Sequence, residues 1–287
     1  MLEEQVNADF ERARHKAFLR ELRSILRREP NRLIAFHEVR SRMAPEGESY
    51  RGLQTVPLDK IVGSVDRFRD FDRAFLPRQR HTAKRWKSID RAYYQDVTLP
   101  PVQLYKVGDV YFVKDGNHRV SVARERGVEF IDAEVIEGHI RVPLYASMSP
   151  QELLLQVEYA EFLRRTDLDR LRPEHDIRPT ALGRYDEMWD HILVHQQWLS
   201  EREGREVSLT EAVTSWYDDV YLPIVRAVSK YDLLKRFPGR SEADLYLWVM
   251  AHRDLFLGRP GRSVDADAPV AELAEEARQE ARLVRRL

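Results

Sequence analysis

Residues 113–127 read VKDGNHRVSVARERG, and their reading decides the fold around them. Tyr111, Phe112 and Val113 continue an apolar run that predicts a buried strand. Asp115-Gly116 then turns the chain. Val120, Val122 and Ala123 predict a helix with one apolar face, and Gly127 supplies its C-terminal stop. Gly116, Asn117, His118 and Arg119 therefore fall at a helix N-terminus. Unpaired backbone N–H groups and the positive end of the helix dipole favour an anion there. Gly116 allows the backbone to approach a ligand closely, and Arg119 can fork onto phosphate oxygens. His118 can donate to an oxyanion or act as a general acid. Asp115 can orient a hydroxyl, take a proton or hold Mg²⁺. Asp115 and His118 are thus the catalytic candidates, and Asp115 is also the metal candidate. The same pattern has a purely architectural reading: a helix cap at Asp115, an ion pair at Arg119 and a surface histidine at His118.

Outward from this run, residues 53–57, 102–105, 110–113 and 130–136 have the texture of strands. Val107-Gly108-Asp109-Val110 carries a hairpin signal. Residues 64–91 read as loop and then helix. Together they predict a small α/β unit over residues 53–145. Upstream, residues 3–27 form a helical stripe of Val6, Phe10, Ala13, Ala17, Phe18, Leu22, Ile25 and Leu26. Pro30 ends it, a second helix is predicted over residues 31–43 with Asn31 as its cap, and residues 47–52 read as a loop.

Downstream the chain becomes helical. Capping boxes are predicted at Ser149/Glu152, Ser208/Glu211 and Ser241/Asp244. Trp189, Trp198, Trp216, Tyr217, Tyr221 and Trp248 recur at helical spacing and are expected in a core. Pro223 is expected to kink or bound its helix. Residues 258–267 read as a linker. Residues 268–287 read as a charged helix open to docking on the body or to pairing with a second copy. The expected fold class is α+β: N-terminal helices over residues 1–48, an α/β module over 49–146, a helical domain over 147–257, and a linker with a terminal helix over 258–287.

The chain has 287 residues, 43% of them hydrophobic and 33% charged, with a net charge of −1. A near-neutral molecule leaves any nucleic-acid affinity to local charge. The absence of cysteine excludes disulfides, thiolate zinc sites and cysteine catalysis. No stretch approaches the roughly 20 apolar residues of a membrane helix, and no signal peptide is visible at the N-terminus. The expected compartment is the cytoplasm, with no membrane partner.

Residues 64–86, SVDRFRDFDRAFLPRQRHTAKRW, interleave basic and aromatic side chains. Such a run suits phosphate backbones and stacked bases, and Arg67, Arg69, Arg80 and Arg85 are the nucleic-acid candidates. It equally suits a loop pinned by Phe68, Phe71 and Phe75, with Asp66, Asp70 and Asp72 pairing the arginines. As acids, those three aspartates could also assist Mg²⁺ or serve as a general base.

From about residue 53 to 137 the chain resembles the ParB N-terminal/sulfiredoxin-like superfamily. The resemblance rests on Leu58-Asp59-Lys60-Ile61, Pro77-Arg78, Ser88-Ile89, Pro100-Pro101-Val102, Val107-Gly108-Asp109 and Asp115-Gly116-Asn117-His118-Arg119, in that order. It implies nucleotide binding at the last of these, with ATP or CTP and Mg²⁺ as ligands. Gly116, Asn117, His118 and Arg119 would hold the phosphates, and Arg78 would be a second phosphate-facing or DNA-facing residue. Sulfiredoxins carry a cysteine where this chain has Asn117, so their chemistry does not transfer. No helix-turn-helix spacing follows the module, unlike in partition proteins. The resemblance implies a nucleotide-switched, DNA-associated transcriptional or partition-type regulator. The alternative is an ATP- and Mg²⁺-dependent phosphotransferase or NTPase using the DGNHR turn. A nucleotide-sensing scaffold is a third reading. Expected partners are nucleotide, DNA and a second copy in a homodimer.

Overall fold

The apolar run ahead of the Asp-Gly turn becomes an inner strand of a six-stranded mixed sheet. The computed structural model describes residues 1–27, 30–43, 48–252 and 270–271. Its strands are β1 (Ile34–Ala35), β2 (Ser49–Pro57), β3 (Ile61–Ser64), β4 (Val102–Val107), β5 (Val110–Asp115) and β6 (Phe130–Gly138). Their order across the sheet is β1-β3-β5-β4-β6-β2. β5 runs parallel to β3 and antiparallel to β4, to which Gly108-Asp109 joins it as a hairpin.

Val110 through Val113 are all buried because both faces of the strand are covered, the condition under which a strand reads as a continuous apolar run. Tyr111 and Val113 join the main core with Leu33, Leu104 and Val135. Phe112 points to the opposite face. There Phe36, from α2 (Phe36–Arg40), meets Phe112 and Tyr105 with ring centroids 5.2 and 4.5 Å away.

On the first face, α4 (Asn117–Glu125) follows β5, α3 (Ala83–Tyr94) packs on α4, and α1 (Leu2–Arg27) packs on α3. Trp86 joins all three helices. Its ring lies 5.5 Å from that of Phe10 on α1, and its indole N–H donates to Ser121 Oγ on α4 at 2.9 Å. A fully buried indole with its one donor satisfied supplies large apolar burial without an orphaned polar group.

This mixed α/β architecture, a single sheet with flanking helices, agrees with the α+β class at that level. Three local expectations are corrected. Residues 31–43 are not one helix: Ile34–Ala35 form β1, parallel to Gly63 and Ser64, and only α2 is helical. The cause is non-local. A Cβ at Gly63 would collide with the Ile34 carbonyl and stand 2.6 Å from Phe112 Cδ1, so the missing side chain is what lets β1 approach β3. The predicted loop is, from Ser49 onward, the start of β2, which pairs with β6 and carries an irregularity between Tyr50 and Gly52. In α1, Val6, Phe10, Ala13 and Ala17 are buried, whereas Phe18, Leu22, Ile25 and Leu26 are exposed.

The loop before α3 is pinned as its aromatics suggest. Phe71, Phe75 and the Asp72 carboxylate are fully buried. Asp72 accepts the backbone N–H groups of Ala74 and Leu76 at 2.8 and 2.9 Å, and Arg20 from α1 at 3.1 Å. Asp72 is therefore an organiser of this loop, with its oxygens already engaged, and not an open acid.

The chain divides into two units, Met1–Glu161 and Phe162–Leu287, with the division inside α5 (Pro150–Thr166). The second unit contains α6 (Leu168–Leu171), α7 (Arg184–Glu203), α8 (Leu209–Ser215), α9 (Leu222–Lys230) and α10 (Glu242–Ala251). Reciprocal capping bonds form at Ser208/Glu211 and Ser241/Asp244, and at Ser149/Glu152 ahead of α5. Trp216, Tyr217, Tyr221 and Tyr246 form the buried aromatic centre, and Trp216 donates to Tyr246 Oη at 2.9 Å. Of the other aromatics expected in the core, Trp189 and Trp248 are half-buried and Trp198 is exposed, with Arg202 over its ring. Pro223 sits in the first turn of α9, directly after a π-helical turn at Trp216–Tyr221, a widening that accommodates a residue without an N–H. The linker predicted at residues 258–267, and all of the terminal helix except residues 270–271, lie outside the described residues. Among the described residues no helix is long and apolar enough to cross a membrane.

Replacement of Gly63 by Ala is expected to displace β1 or the Phe112 ring and to cost about 1–3 kcal/mol, the usual range for overpacking. Urea unfolding of the variant checks this; an unchanged midpoint would show that β1 does not depend on the close approach.

Candidate functional site

β5 ends at Asp115, and the next residue takes a conformation that side chains disfavour. Gly116 has φ +106° and is the N-cap of α4. A Cβ there would lie 2.6 Å from Val102 Cγ1 and 3.0 Å from Arg119 Nη2, so glycine is required by the backbone angle and by space. No side chain caps the helix. Its first backbone bond runs from Val120 N–H to Gly116 O at 3.0 Å. The N–H groups of Asn117, His118 and Arg119 consequently have no acceptor within the helix.

A cavity of about 190 Å³ opens at this end of α4, lined by Arg67, Arg85, Ile89, Asp115, Gly116, Asn117, His118 and Arg119. It thus gathers the whole DGNHR turn together with two cations from the arginine-rich stretch and one apolar wall from α3. Drug-sized ligands occupy roughly 300–1,000 Å³. A cavity of this size suits a phosphoryl group, with the remainder of a larger ligand lying outside it.

Asn117 and His118 are buried, and Asn117 Oδ1 and His118 Nε2 have no hydrogen-bond partner. Unsatisfied buried polar atoms are uncommon in folded proteins and costly. Two of them on adjacent residues of one cavity wall mark this turn as more than a connector. The imidazole lies edge-on to Phe71, 5.4 Å between centroids. Burial holds its pKa down at about 4, and the neighbouring charges of Arg67, Arg85 and His81 act in the same direction, against Asp70. At neutral pH it is an uncharged ring in a cationic setting.

Arg119 is engaged with groups of the chain itself. Its guanidinium donates to the carbonyls of Pro100 and Pro101 at 2.5 and 2.8 Å and to Asp115 Oδ2 at 2.5 Å. It holds the Pro-Pro segment and the end of β5 against the helix, so Arg119 is a positioning residue whose charge is matched by Asp115. The Asp115 side chain is largely exposed at the cavity wall. Asp115 is the one carboxylate lining the cavity. Among the described residues no group of three or more His, Cys, Asp or Glu is placed to hold a metal ion. A Mg²⁺ held there would therefore draw most of its oxygens from ligand phosphate and water.

Arg78 lies outside the cavity lining and pairs with Glu21 of α1 at 3.0 Å. Arg67 pairs with Asp70 at 3.2 Å, and Asp70 also receives His81 Nε2 at 3.2 Å. Arg69 lies over Phe68. Arg80 and Arg85 are exposed and make no ion pair among the described residues, which leaves Arg85 as the cavity-lining cation without a counter-ion among them. The sequence reading offers Asp70 as an acid or a partner for the arginines, and does not single out the wall residue Ile89 or His81. Ile89 was legible in principle, because it stands four residues after Arg85 on one helix face.

These features define a mixed α/β protein with a small cationic cavity at an uncapped helix N-terminus. No protein-family model matches the chain, and no curated protein matches it.

The depressed His118 pKa carries a pH signature. Between pH 6.5 and about 4 the unfolded chain binds a proton that the folded site refuses, so stability falls as pH drops through this window and this group adds no further loss below it. ¹H–¹⁵N NMR of the imidazole should give an apparent pKa well under 6. In His118→Ala, stability between pH 4 and 6.5 should depend less on pH; an unchanged slope would place the effect elsewhere. Arg119→Ala should lower the melting temperature, because three bonds to the turn are lost at once.

Proposed function

We propose that the chain is a ParB-like nucleotide-binding protein, and that the cavity at the start of α4 receives a terminal phosphoryl group. The observation that carries this reading is the combination, at one point, of three helix amides without acceptors, two buried polar atoms without partners, and an unpaired Arg85. Each is a cost or an open valence in the free protein, and a phosphate ester offers acceptors to those that donate. Its oxygens accept from the amides and the guanidinium groups. Its negative charge relieves the cationic field on His118.

Sensing is favoured over turnover by the state of Asp115, whose carboxylate is engaged with Arg119. In this reading the ligand sets a conformational state of a DNA-associated regulator, and the exposed Arg69, Arg80 and Lys84 meet DNA phosphates. Affinity for DNA would then fall steeply with salt. The phosphotransferase or NTPase reading keeps one supporting observation: Asp115 lies at the cavity wall, where a hydroxyl or water could be oriented.

A thermal-shift panel with ATP, CTP and GTP, with and without Mg²⁺, tests the binding. At least one nucleotide should stabilise the protein. Arg85→Ala should weaken that nucleotide by about tenfold to a hundredfold, the usual range for a charge-assisted hydrogen bond. No shift with any nucleotide, or an Arg85→Ala protein that binds as well as the parent, would overturn the proposal. Phosphate release without DNA would move the assignment to the enzyme.

A further inference from the structure

The opposite end of α4 faces a second and larger space. A cavity of about 610 Å³ is lined by residues from α1, from the β2–β3 junction, from the loop before α3, from the end of α4 and from the start of β6. Its volume lies within the range of small-molecule sites. Its apolar wall consists of Pro57, Leu58, Ala74, Leu76, Val128 and Phe130, and Phe130 is 52% exposed. A large aromatic left half in water beside an apolar concavity is a surface that a ligand would cover.

Charge selects the ligand. Both cations of the lining are already satisfied. Lys16 pairs with Glu125 at 2.6 Å. Arg124 donates to the carbonyls of Leu58, Ile61 and Arg73 and lies over the Phe75 ring. Burial lowers the Arg124 pKa to about 10, and the group remains a fixed part of the floor. Asp59 and Glu129 line the same cavity, are exposed, and among the described residues have no ion pair or side-chain hydrogen bond, with the Asp59 charge acting at longer range on Arg124 and Lys60. The C-terminal end of α4 adds the negative end of a helix dipole. The open valences are therefore acidic and the walls are apolar.

We propose that this cavity binds a small amphipathic cation, an apolar or aromatic body bearing one ammonium or guanidinium group, with the body against Leu58, Leu76 and Phe130 and the charge towards Asp59 and Glu129. The site is separate from the phosphate cavity and does not depend on its assignment. Because both carboxylates face solvent, screening limits their pull, and the selectivity for charge is modest while the apolar contact supplies most of the affinity.

Three probes of similar shape test this on the full chain by NMR titration: phenethylammonium, 2-phenylethanol and 3-phenylpropionate. The cation should bind about three- to tenfold more tightly than the alcohol and more tightly still than the carboxylate, with shift changes centred on residues 57–59, 74–76 and 128–130. In the Asp59→Asn/Glu129→Gln double variant the three affinities should converge. Val128→Trp, an exposed position that tolerates bulk, should fill the space and weaken all three. Equal binding of the three probes to the parent protein, binding mapped elsewhere, or no binding at all would overturn the proposal.

Discussion

A left-handed glycine between a buried strand and a buried helix is the constraint on which the first unit depends. Gly116 reverses the chain so that α4 lies back over the sheet, and Arg119 then ties the turn to Pro100, Pro101 and Asp115. One helical turn is thereby left with its amides uncapped while everything around it is packed. Val120, Val122 and Ala123 are fully buried in the core, so the start of α4 cannot rotate to find other partners for its polar groups. The open valences of the turn follow from the rigidity of what holds it.

The same packing explains the unusual state of His118. A histidine at a helix start is ordinarily a surface group that titrates near its reference value. Here Phe71 covers it from a loop that Asp72 and Arg20 hold in place, and Arg67 and Arg85 reach the cavity from either side of that loop. Neutrality of the ring is a property of the assembled module. Neither the turn nor the loop would impose it alone.

Two cavities at the two ends of one short helix differ in character because the ends of a helix differ. The N-terminal end presents N–H groups and gathers arginines. The C-terminal end has its last carbonyls bonded to the N–H groups of Arg126, Gly127 and Val128, and Asp59 and Glu129 line the space beside it. Arg124 is instead drawn inward, donating to the carbonyls of Leu58 after β2, Ile61 at the start of β3 and Arg73 in the loop. The two cavities also differ in volume, about 190 Å³ at the first end and about 610 Å³ at the second.

The sequence by itself determined the strand–turn–helix at residues 110–127, the hairpin before it, the three capping boxes and the helical character of the second half, because each depends on neighbours within a few positions. It also named most of the residues that meet in the cavity at the start of α4. Only the tertiary structure decided how they are used. It paired Arg119 with Asp115, sent Arg78 to Glu21 on α1, and brought Arg67 and Arg85 to the cavity beside His118 from either side of a loop. It also made a strand of Ile34–Ala35, through a gap that only Gly63 leaves open. Periodicity records which side of an element is buried. It carries no information about which distant charge or backbone group will be there to meet it.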